Sequence, residues 1–219
     1  MRKVKASSLV LDFELYPRNN IDSHNVSQLV DALTAGVELP PVIADKTSHR
    51  VVDGFHRVKA HLRTFGPRTT MTVIEKPYRN EREMFLDSMR YNAKHGAQLD
   101  PCDRTRCLII ADRLKIPMTS VAGALLTTTD RLGQLMATRT AIHGNLAVPI
   151  KRTIEKFAGH KLTNRQQETN LRSSGMNQVF YINQLIDLIE ANMLDTDNAP
   201  LMNRLKVLSK LLINVLRSQ

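Results

Sequence analysis

The stretch from Val51 to Ala60, Val-Val-Asp-Gly-Phe-His-Arg-Val-Lys-Ala, constrains the fold more than any other part of the 219-residue chain. Its β-branched pair is typical of the end of a strand, and Asp-Gly is a turn dipeptide in which glycine takes a positive φ without steric cost. Phe55 and Val58 begin an apolar pattern with helical spacing that continues to Leu62. Because a helix N-terminus carries unpaired N–H groups and partial positive charge, this strand–turn–helix predicts an anion site, most commonly for phosphate.

Four residues of this turn are candidates for chemistry. Gly54, His56 and Arg57 are the expected phosphate-binding residues, because the glycine admits a close ligand and the two basic side chains lie on the first helical turn. Asp53 is the fourth, and its ordinary role is to accept hydrogen bonds within the turn. A plain turn with a surface arginine is the alternative to the whole site.

The elements around the turn are typical of a small α/β domain. A short apolar strand is expected at Leu39–Ala44, a turn at Thr47–His49, a helix stop at Gly66 and another strand at Thr70–Ile74. This frame, from about Ser8 to Lys76, resembles the N-terminal domain of the ParB/sulfiredoxin superfamily. The resemblance implies a phosphate or nucleotide site at the turn, with CTP or ATP and Mg²⁺ as the expected ligands. It also implies a candidate role for Asp53 as a general base or metal ligand, as in kinase-like members of the superfamily. No resident metal is expected.

The turn departs from the motifs of that superfamily in two ways. ParB proteins that bind and hydrolyse CTP carry Gly-Glu-Arg-Arg, whereas this chain has Gly54-Phe55-His56-Arg57, so the glutamate and one arginine are missing. Sulfiredoxins place a reactive cysteine directly after the glycine, and Phe55 stands there instead. Sulfinic-acid reductase chemistry is therefore excluded, because its nucleophile is absent.

The net charge of +10 and the isoelectric point of about 9.9 indicate a polyanionic partner, by default nucleic acid. The most one-sided stretch extends from Arg139 to Arg165 and includes Lys151 and Arg152. Either a solvated helix face or a surface that contacts the phosphates along a nucleic-acid backbone would explain this stretch. Arg139, Lys151 and Arg152 are accordingly candidate DNA-binding residues.

Residues 107–126 have the spacing of a helix-turn-helix. A small residue, Ala111, allows close helix approach, Ile116 and Val121 fix the crossing, and Lys115 occupies a turn position where glycine is favoured. Thr119 and Ser120 would then face the major groove. The alternative is a helical hairpin that only supports the fold.

Two flanking features extend this interpretation. After the hairpin, Thr127-Thr128-Thr129-Asp130 caps a helix that carries Arg131, a further candidate contact to DNA. Before it, Asn92 and Leu99-Asp100-Pro101 resemble the join between the nucleotide and DNA-binding domains of ParB and KorB proteins, although Tyr91 replaces a glutamate and the spacing is one residue longer. The resemblance adds Asn92 to the expected nucleotide-binding residues.

The remaining patterns complete an α+β prediction. Leu9, Leu11 and Phe13 alternate like a strand, and a helix is expected over residues 26–33 before Gly36. We expect an α/β domain at 1–77, a helical helix-turn-helix domain at 78–140, and a basic segment with a helical tail at 141–219. The part after residue 77 is expected to be all-helical.

The tail carries an apolar stripe with 4-3-4-3 spacing on a helix that begins near Pro200. Its members are Leu201, Leu205, Leu208, Leu212 and Val215. A second stripe precedes it at 182–193, so a helical hairpin is expected, packing either on itself or on a second subunit as a homodimer.

The chain's cysteines and the lack of long apolar runs predict its compartment. Cys102 and Cys107 are five residues apart on an expected helix and fit neither a disulfide nor a zinc pattern. No apolar run approaches 18 residues and no signal peptide follows Met1, so a cytoplasmic protein is expected.

Together these patterns predict a ParB-like DNA-binding protein that acts in plasmid, phage or chromosomal partition or in regulation. The alternative class is an enzyme, either a ParB-type nuclease or a nucleotide-dependent phosphotransferase, that uses the turn at Asp53–Arg57. Such an enzyme normally needs clustered carboxylates for Mg²⁺.

Overall fold

The computed structural model of the protein describes residues 1–94 and 98–217. They form two compact units, Met1–Ser174 and Gly175–Gln219. Helices and strands are mixed as expected, which confirms the α+β class. The domain limits expected at residues 77 and 140 stay a prediction.

The first unit opens with a four-stranded sheet and two helices. The elements are β1 (Arg2–Lys5), α1 (Ser23–Thr34), β2 (Val42–Asp45), β3 (Val51–Asp53), α2 (Phe55–Phe65) and β4 (Thr70–Lys76). The strand order is β1-β4-β2-β3, with β2 parallel to β4 and the other pairs antiparallel. Val42, Val58 and Val73 are fully buried between the sheet and the helices.

The predicted strands, helix and stop at Leu39–Gly66 form close to their expected places, but the strand predicted at Leu9–Phe13 is wrong. Only Val10 there makes a bridge, to Arg50, and the chain then turns with Leu15 N donating to Asp12 O at 3.3 Å. The first strand is instead β1, an edge strand of charged residues that the apolar pattern does not reveal. The helix over 26–33 is confirmed, and Gly36 follows it with φ +82°.

Four helices follow: α3 (Glu81–Lys94), α4 (Pro101–Arg113), α5 (Met118–Ala124) and α6 (Thr129–Arg139). The sequence predicts that the first of them ends near His95-Gly96, which lies outside the described residues. Asp100 caps α4 by accepting from Asp103 N at 2.7 Å, with Pro101 in the first turn. Thr128 caps α6 in the same way, by accepting from Arg131 N at 3.3 Å.

The helix-turn-helix predicted at 107–126 is formed by α4 and α5. Lys115 has φ +55°, the left-handed conformation expected at this position. Ile116 N donates to Ala111 O at 2.8 Å, which closes the turn. Ile116 and Val121 are buried, and Cys107 and Ala111 belong to the same core. Both cysteines are free thiols, and burial raises the pKa of Cys102 to about 12.

A second, small sheet follows that the sequence patterns did not predict. It contains β5 (Thr140–His143), β6 (Leu146–Pro149) and β7 (Lys161–Leu162), in the order β6-β5-β7, before α7 (Asn164–Arg172). The helix interpretation of the basic stretch is therefore wrong for residues 140–162. Gly144, with φ +61°, opens the hairpin between β5 and β6, and Ile150 fills a small core beneath it.

The second unit contains α8 (Gln178–Glu190) and α9 (Ala199–Arg217), the two helices that the apolar stripes predict. Among the described residues of these two helices, none is buried. The three leucines at the start of the α9 stripe are half-buried, while Leu212 and Val215 are exposed. Across the described ranges, 1–94 and 98–217, no helix combines the length and apolar character needed to cross a membrane.

Candidate ligand and nucleic-acid sites

A cavity of about 600 Å³ opens beside the turn between β3 and α2. This volume lies within the range of small-molecule and cofactor sites. Its walls combine apolar side chains with a few polar groups, among them Leu29, Ile43, Val52, Asn25, Asp53 and Asn92. The turn residues Gly54, His56 and Arg57 also line it. The structure thus brings every residue expected for nucleotide binding, together with Asp53, to one cavity.

Gly54 is required at the turn for two reasons. Its φ is +107°, in the left-handed region, and it directly precedes the first residue of α2. A Cβ at this position would lie 2.8 Å from Val42 Cγ2 and 3.2 Å from Arg57 Cζ, too close for a real carbon atom against the buried valine. The backbone therefore approaches both β2 and the guanidinium group in a way that only glycine permits.

Arg57 is held mainly by the protein itself. Its Nη1 donates to Pro40 O at 2.9 Å and to Pro41 O at 2.7 Å, and its Nη2 donates to Asp53 Oδ2 at 2.6 Å. Within the described residues, three of its five N–H bonds are thus directed at these oxygens, and two remain for a ligand. Arg57 and Asp53 fasten the start of α2 to the segment before β2, so each has a structural role at this position.

His56 is also tied into the fold. Its Nε2 lies 3.1 Å from Asp22 N and accepts a hydrogen bond from it, which places the ring proton on Nδ1. Burial lowers the pKa of His56, and the nearby Arg18 lowers it further. A neutral imidazole with one N–H donor is therefore what this side chain offers to a phosphate.

Arg18 is a cavity residue that the sequence analysis missed. Its Nε donates to Asn92 Oδ1 at 3.2 Å, and its Nη1 lies 3.6 Å from the carboxylate of Asp103. Asn92 in turn donates to Ser88 O at 3.0 Å. No pattern within the segment Tyr16–Asn20 marks an arginine that folds back to α3.

A second cavity of about 380 Å³ shares Arg18, Asn25 and His56 with the first. Its lining is more polar and includes Asp22 and Lys151. The two cavities are therefore neighbours, separated by side chains that both of them contact.

One wall of the cavity, formed by residues 13–19, is hydrogen-bonded to α4, the first helix of the helix-turn-helix. From α4, Arg106 donates to Tyr16 O at 3.1 Å and to Phe13 O at 2.6 Å. The Cys107 thiol lies 3.4 Å from Pro17 O, and Asn19 N donates to Asp103 at 2.9 Å. These bonds join the wall segment 13–19 to α4, so the cavity and the helix-turn-helix share one support within the first unit.

The helix-turn-helix presents part of its predicted surface to solvent. Thr119 on α5 is exposed and Ser120 is half-buried, while Arg131 on α6 is exposed. Among the residues that the structure describes, no carboxylate forms an ion pair with Arg131. These positions are the accessible part of the predicted DNA-binding set.

The three basic residues predicted further along the chain differ from one another. Arg139 lies 3.6 Å from a carboxylate oxygen of Glu155. Lys151 Nζ donates to Leu171 O at 3.0 Å and also to Ser173 O, and Arg152 is exposed. Arg139 and Lys151 thus have partners inside the first unit, and a contact with DNA would have to share them.

Within residues 1–94 and 98–217, no group of three or more His, Cys, Asp or Glu side chains could hold a metal ion. Asp53 is paired with Arg57 at 2.6 Å. A role for Asp53 as a general base or metal ligand stays a prediction.

No protein-family model matches the chain, and no curated protein matches it. Among solved structures, it is similar to the C-terminally truncated chromosome-partitioning protein ParB from Caulobacter crescentus complexed to the centromeric parS site, with 13% identity and a TM-score of 0.45 over 63% of this chain and 71% of that one. The same protein complexed with CTP-γ-S matches with 14% identity and a TM-score of 0.38, over 63% of this chain and 77% of that one. A pNOB8-like ParB N-domain matches with 15% identity and a TM-score of 0.43, over 68% and 56% of the two chains. The function of the chain therefore has to be inferred from its own residues.

Proposed function

We propose that this protein binds double-stranded DNA through its helix-turn-helix and a nucleoside phosphate in the neighbouring cavity, and that it acts in DNA partition or regulation. The observation that carries the proposal is that the helix-turn-helix and the cavity both depend on α4. This helix is the first of the helix-turn-helix, and it also holds the wall of a nucleotide-sized cavity through Arg106, Cys107 and Asp103.

The helix-turn-helix supports DNA binding by its geometry and exposure. With Lys115 in the left-handed conformation, α5 follows α4 closely and leaves Thr119 in solvent. Arg131 and Arg152 are exposed cations on the same unit and are the proposed phosphate contacts. The net charge of +10 supplies the sequence-independent attraction to DNA.

The turn supports nucleotide binding by its backbone and its remaining donors. The first N–H groups of α2 have no partner within the helix and lie beside Gly54, where the backbone can come close to a phosphate. Arg57 and His56 add donors at the same place. The resemblance of the turn motif makes CTP and ATP, with Mg²⁺, the first nucleotides to test.

The nucleotide claim is tested by isothermal titration of the full chain with CTP and with ATP, with and without Mg²⁺. Binding of at least one nucleotide is expected, and it should be lost in Arg57→Ala. Arg90→Ala is the matched control, because Arg90 contacts Asp87 at 3.1 Å and does not line the cavity. Absence of binding heat for every nucleotide would mean that the turn is structural.

We also propose that the second unit forms a homodimer. Its described helices leave large apolar side chains in solvent, with Val207 and Leu211 of α9 50% and 57% exposed. Burying such a side chain contributes about 1.5–3 kcal/mol, so a paired copy of this surface would be stabilising. A dimer would also present two helix-turn-helix units to two half-sites.

Light scattering at micromolar concentration tests the dimer. We expect twice the chain mass of 24.8 kDa for the wild type and a monomer for Val207→Glu combined with Leu211→Glu. Lys206→Glu with Lys210→Glu alters charge on the same helix without touching apolar residues and should leave the dimer intact. A wild-type mass of one chain would contradict the proposal.

A further inference from the structure

The structure assigns a ligand-binding role to Tyr16, whose hydroxyl we propose donates a hydrogen bond to an uncharged acceptor on the nucleoside part of the bound nucleotide. This inference rests on the proposed nucleotide function of the cavity. No motif in the sequence marks Tyr16 as a binding residue.

The Tyr16 ring is buried and held in one orientation. Only 2% of the residue is exposed, although it lines the 600 Å³ cavity. Its ring stacks on Phe55 with 4.3 Å between centroids and 22° between planes, and it meets the edge of Phe13 at 5.9 Å. Its carbonyl accepts from Arg106, which fixes the backbone as well. The side chain therefore cannot swing its hydroxyl into solvent without breaking the aromatic stack.

The hydroxyl at the end of this fixed ring has no hydrogen-bond partner among the described residues. Leaving a buried donor without a partner destabilises the folded protein. Two other buried polar atoms in the described ranges share this property, His61 Nδ1 and Ser88 Oγ, but neither residue lines the cavity. Of the three, only the Tyr16 hydroxyl belongs to a residue that lines the cavity.

The surroundings indicate which kind of group completes it. Burial raises the pKa of Tyr16, and the carboxylates of Asp103, Asp22 and Asp53 raise it further while Arg18 opposes them. The hydroxyl therefore remains protonated at neutral pH and donates. In the proposed function the phosphates lie at the N-terminus of α2. The acceptor proposed for Tyr16 is therefore a sugar hydroxyl or a base carbonyl.

The lining of the cavity combines apolar and polar groups. Among its apolar residues, Leu29 is half-buried, and Phe55 and Val52 line it from the buried core. The N-terminus of α2 at Gly54 offers backbone N–H groups for the phosphates. Tyr16 would thus favour a nucleotide over a free polyphosphate.

The variant Tyr16→Phe tests this directly, because it removes one oxygen and keeps the stacked ring. Titration with CTP and ATP should show a 3- to 10-fold loss of affinity, the effect of about one hydrogen bond. The melting temperature of the free protein should stay the same or rise, because the lost hydroxyl had no partner. Inorganic triphosphate should bind the wild type and the variant equally.

Tyr78→Phe is the matched control. The Tyr78 hydroxyl donates to Asp87 at 3.0 Å, and Tyr78 does not line the cavity. It should lower the melting temperature and leave nucleotide affinity unchanged. If Tyr16→Phe binds CTP and ATP like the wild type, or lowers the melting temperature as Tyr78→Phe does, the inference is wrong while the proposed function stands. An equal loss for inorganic triphosphate would overturn the nucleoside assignment, and a wild type that binds no nucleotide would overturn both proposals.

Discussion

The turn at Asp53–Arg57 and the turn of the helix-turn-helix at Lys115 differ in how they use their polar residues. At the first, Asp53 and Arg57 are paired at 2.6 Å, Arg57 also bonds two carbonyls, and His56 accepts from a backbone N–H. At the second, Lys115 and Thr119 are exposed. Most polar groups of the first turn are bonded within the fold, whereas Lys115 and Thr119 at the second turn are exposed to solvent.

This difference indicates where a substitution should act. Changes at the first turn should appear mainly as losses of stability, with any loss of ligand binding added to them. Changes on the helix-turn-helix surface should affect binding while the fold stays intact.

Gly54→Ala should destabilise the protein by about 2–4 kcal/mol, because it combines a positive φ with an overpacked contact to Val42. Gly66→Ala is the control, since Gly66 also has a positive φ, +77°, but a Cβ there would meet nothing within 4 Å. Urea unfolding should therefore show a distinctly smaller loss for Gly66→Ala. Equal losses at the two glycines would mean that the contact with Val42 relaxes freely.

Arg57→Ala should lower the free energy of unfolding by about 1.5–3 kcal/mol, because three charge-assisted hydrogen bonds are lost and Pro40 O and Pro41 O are left without this donor. Arg57→Lys should recover little of it, since a lysine cannot reproduce the planar fork. Denaturant unfolding followed by circular dichroism measures both variants. An unchanged midpoint for Arg57→Ala would contradict the structural role of this side chain.

Lys115→Gly should stabilise the protein by about 1 kcal/mol, because the left-handed conformation is strained for lysine and free of strain for glycine. The melting temperature is the measurement, and Lys206→Gly, an exposed position inside helix α9, should instead be destabilising. A lower melting temperature for Lys115→Gly would show that the lysine side chain makes a stabilising contact that offsets its backbone conformation.

Acidification should destabilise the wild type more than His56→Gln. The pKa of His56 is lowered in the folded protein, so the unfolded chain takes up the proton first and stability falls as the pH drops below about 6.5. Glutamine keeps an acceptor for Asp22 N and does not titrate. Melting temperatures at pH 7.5 and 5.5 should therefore differ less in the variant, and an identical difference would assign the pH dependence to other groups such as His61.

The sequence predicts both turns well because each depends on local rules. Asp-Gly before an apolar helix determines the first turn, and the spacing from Ala111 to Val121 determines the second. The partners of the turn residues could not be predicted in the same way. Arg57 bonds Pro40 and Pro41 across sixteen or more positions, and Arg18 reaches Asn92 across 74. Such pairings depend on the tertiary fold.

The small sheet at 140–162 shows where composition misleads. Its strands are two to four residues long and lie among lysines and arginines, so the charge pattern favours a solvated helix. The Gly144-Asn145 hairpin signal is present but weak beside that pattern. Strand β1 was not predicted either. Its sequence, Arg-Lys-Val-Lys, is that of a charged edge strand and lacks the alternation of apolar and polar residues that a half-buried strand shows.

The central claim is that the exposed surface around α5 and α6 binds DNA, and the salt dependence of binding to a random duplex tests it most directly. Fluorescence anisotropy at 50 to 200 mM salt should give a steep linear fall of log affinity with log salt concentration. Arg131→Ala and Arg152→Ala should each reduce the slope by about 0.9 without changing the melting temperature. Arg172→Ala, an exposed arginine paired with Glu168 at 3.3 Å, is the control and should leave the slope unchanged. No binding at 50 mM salt, or an affinity that stays constant across the range, would contradict the claim.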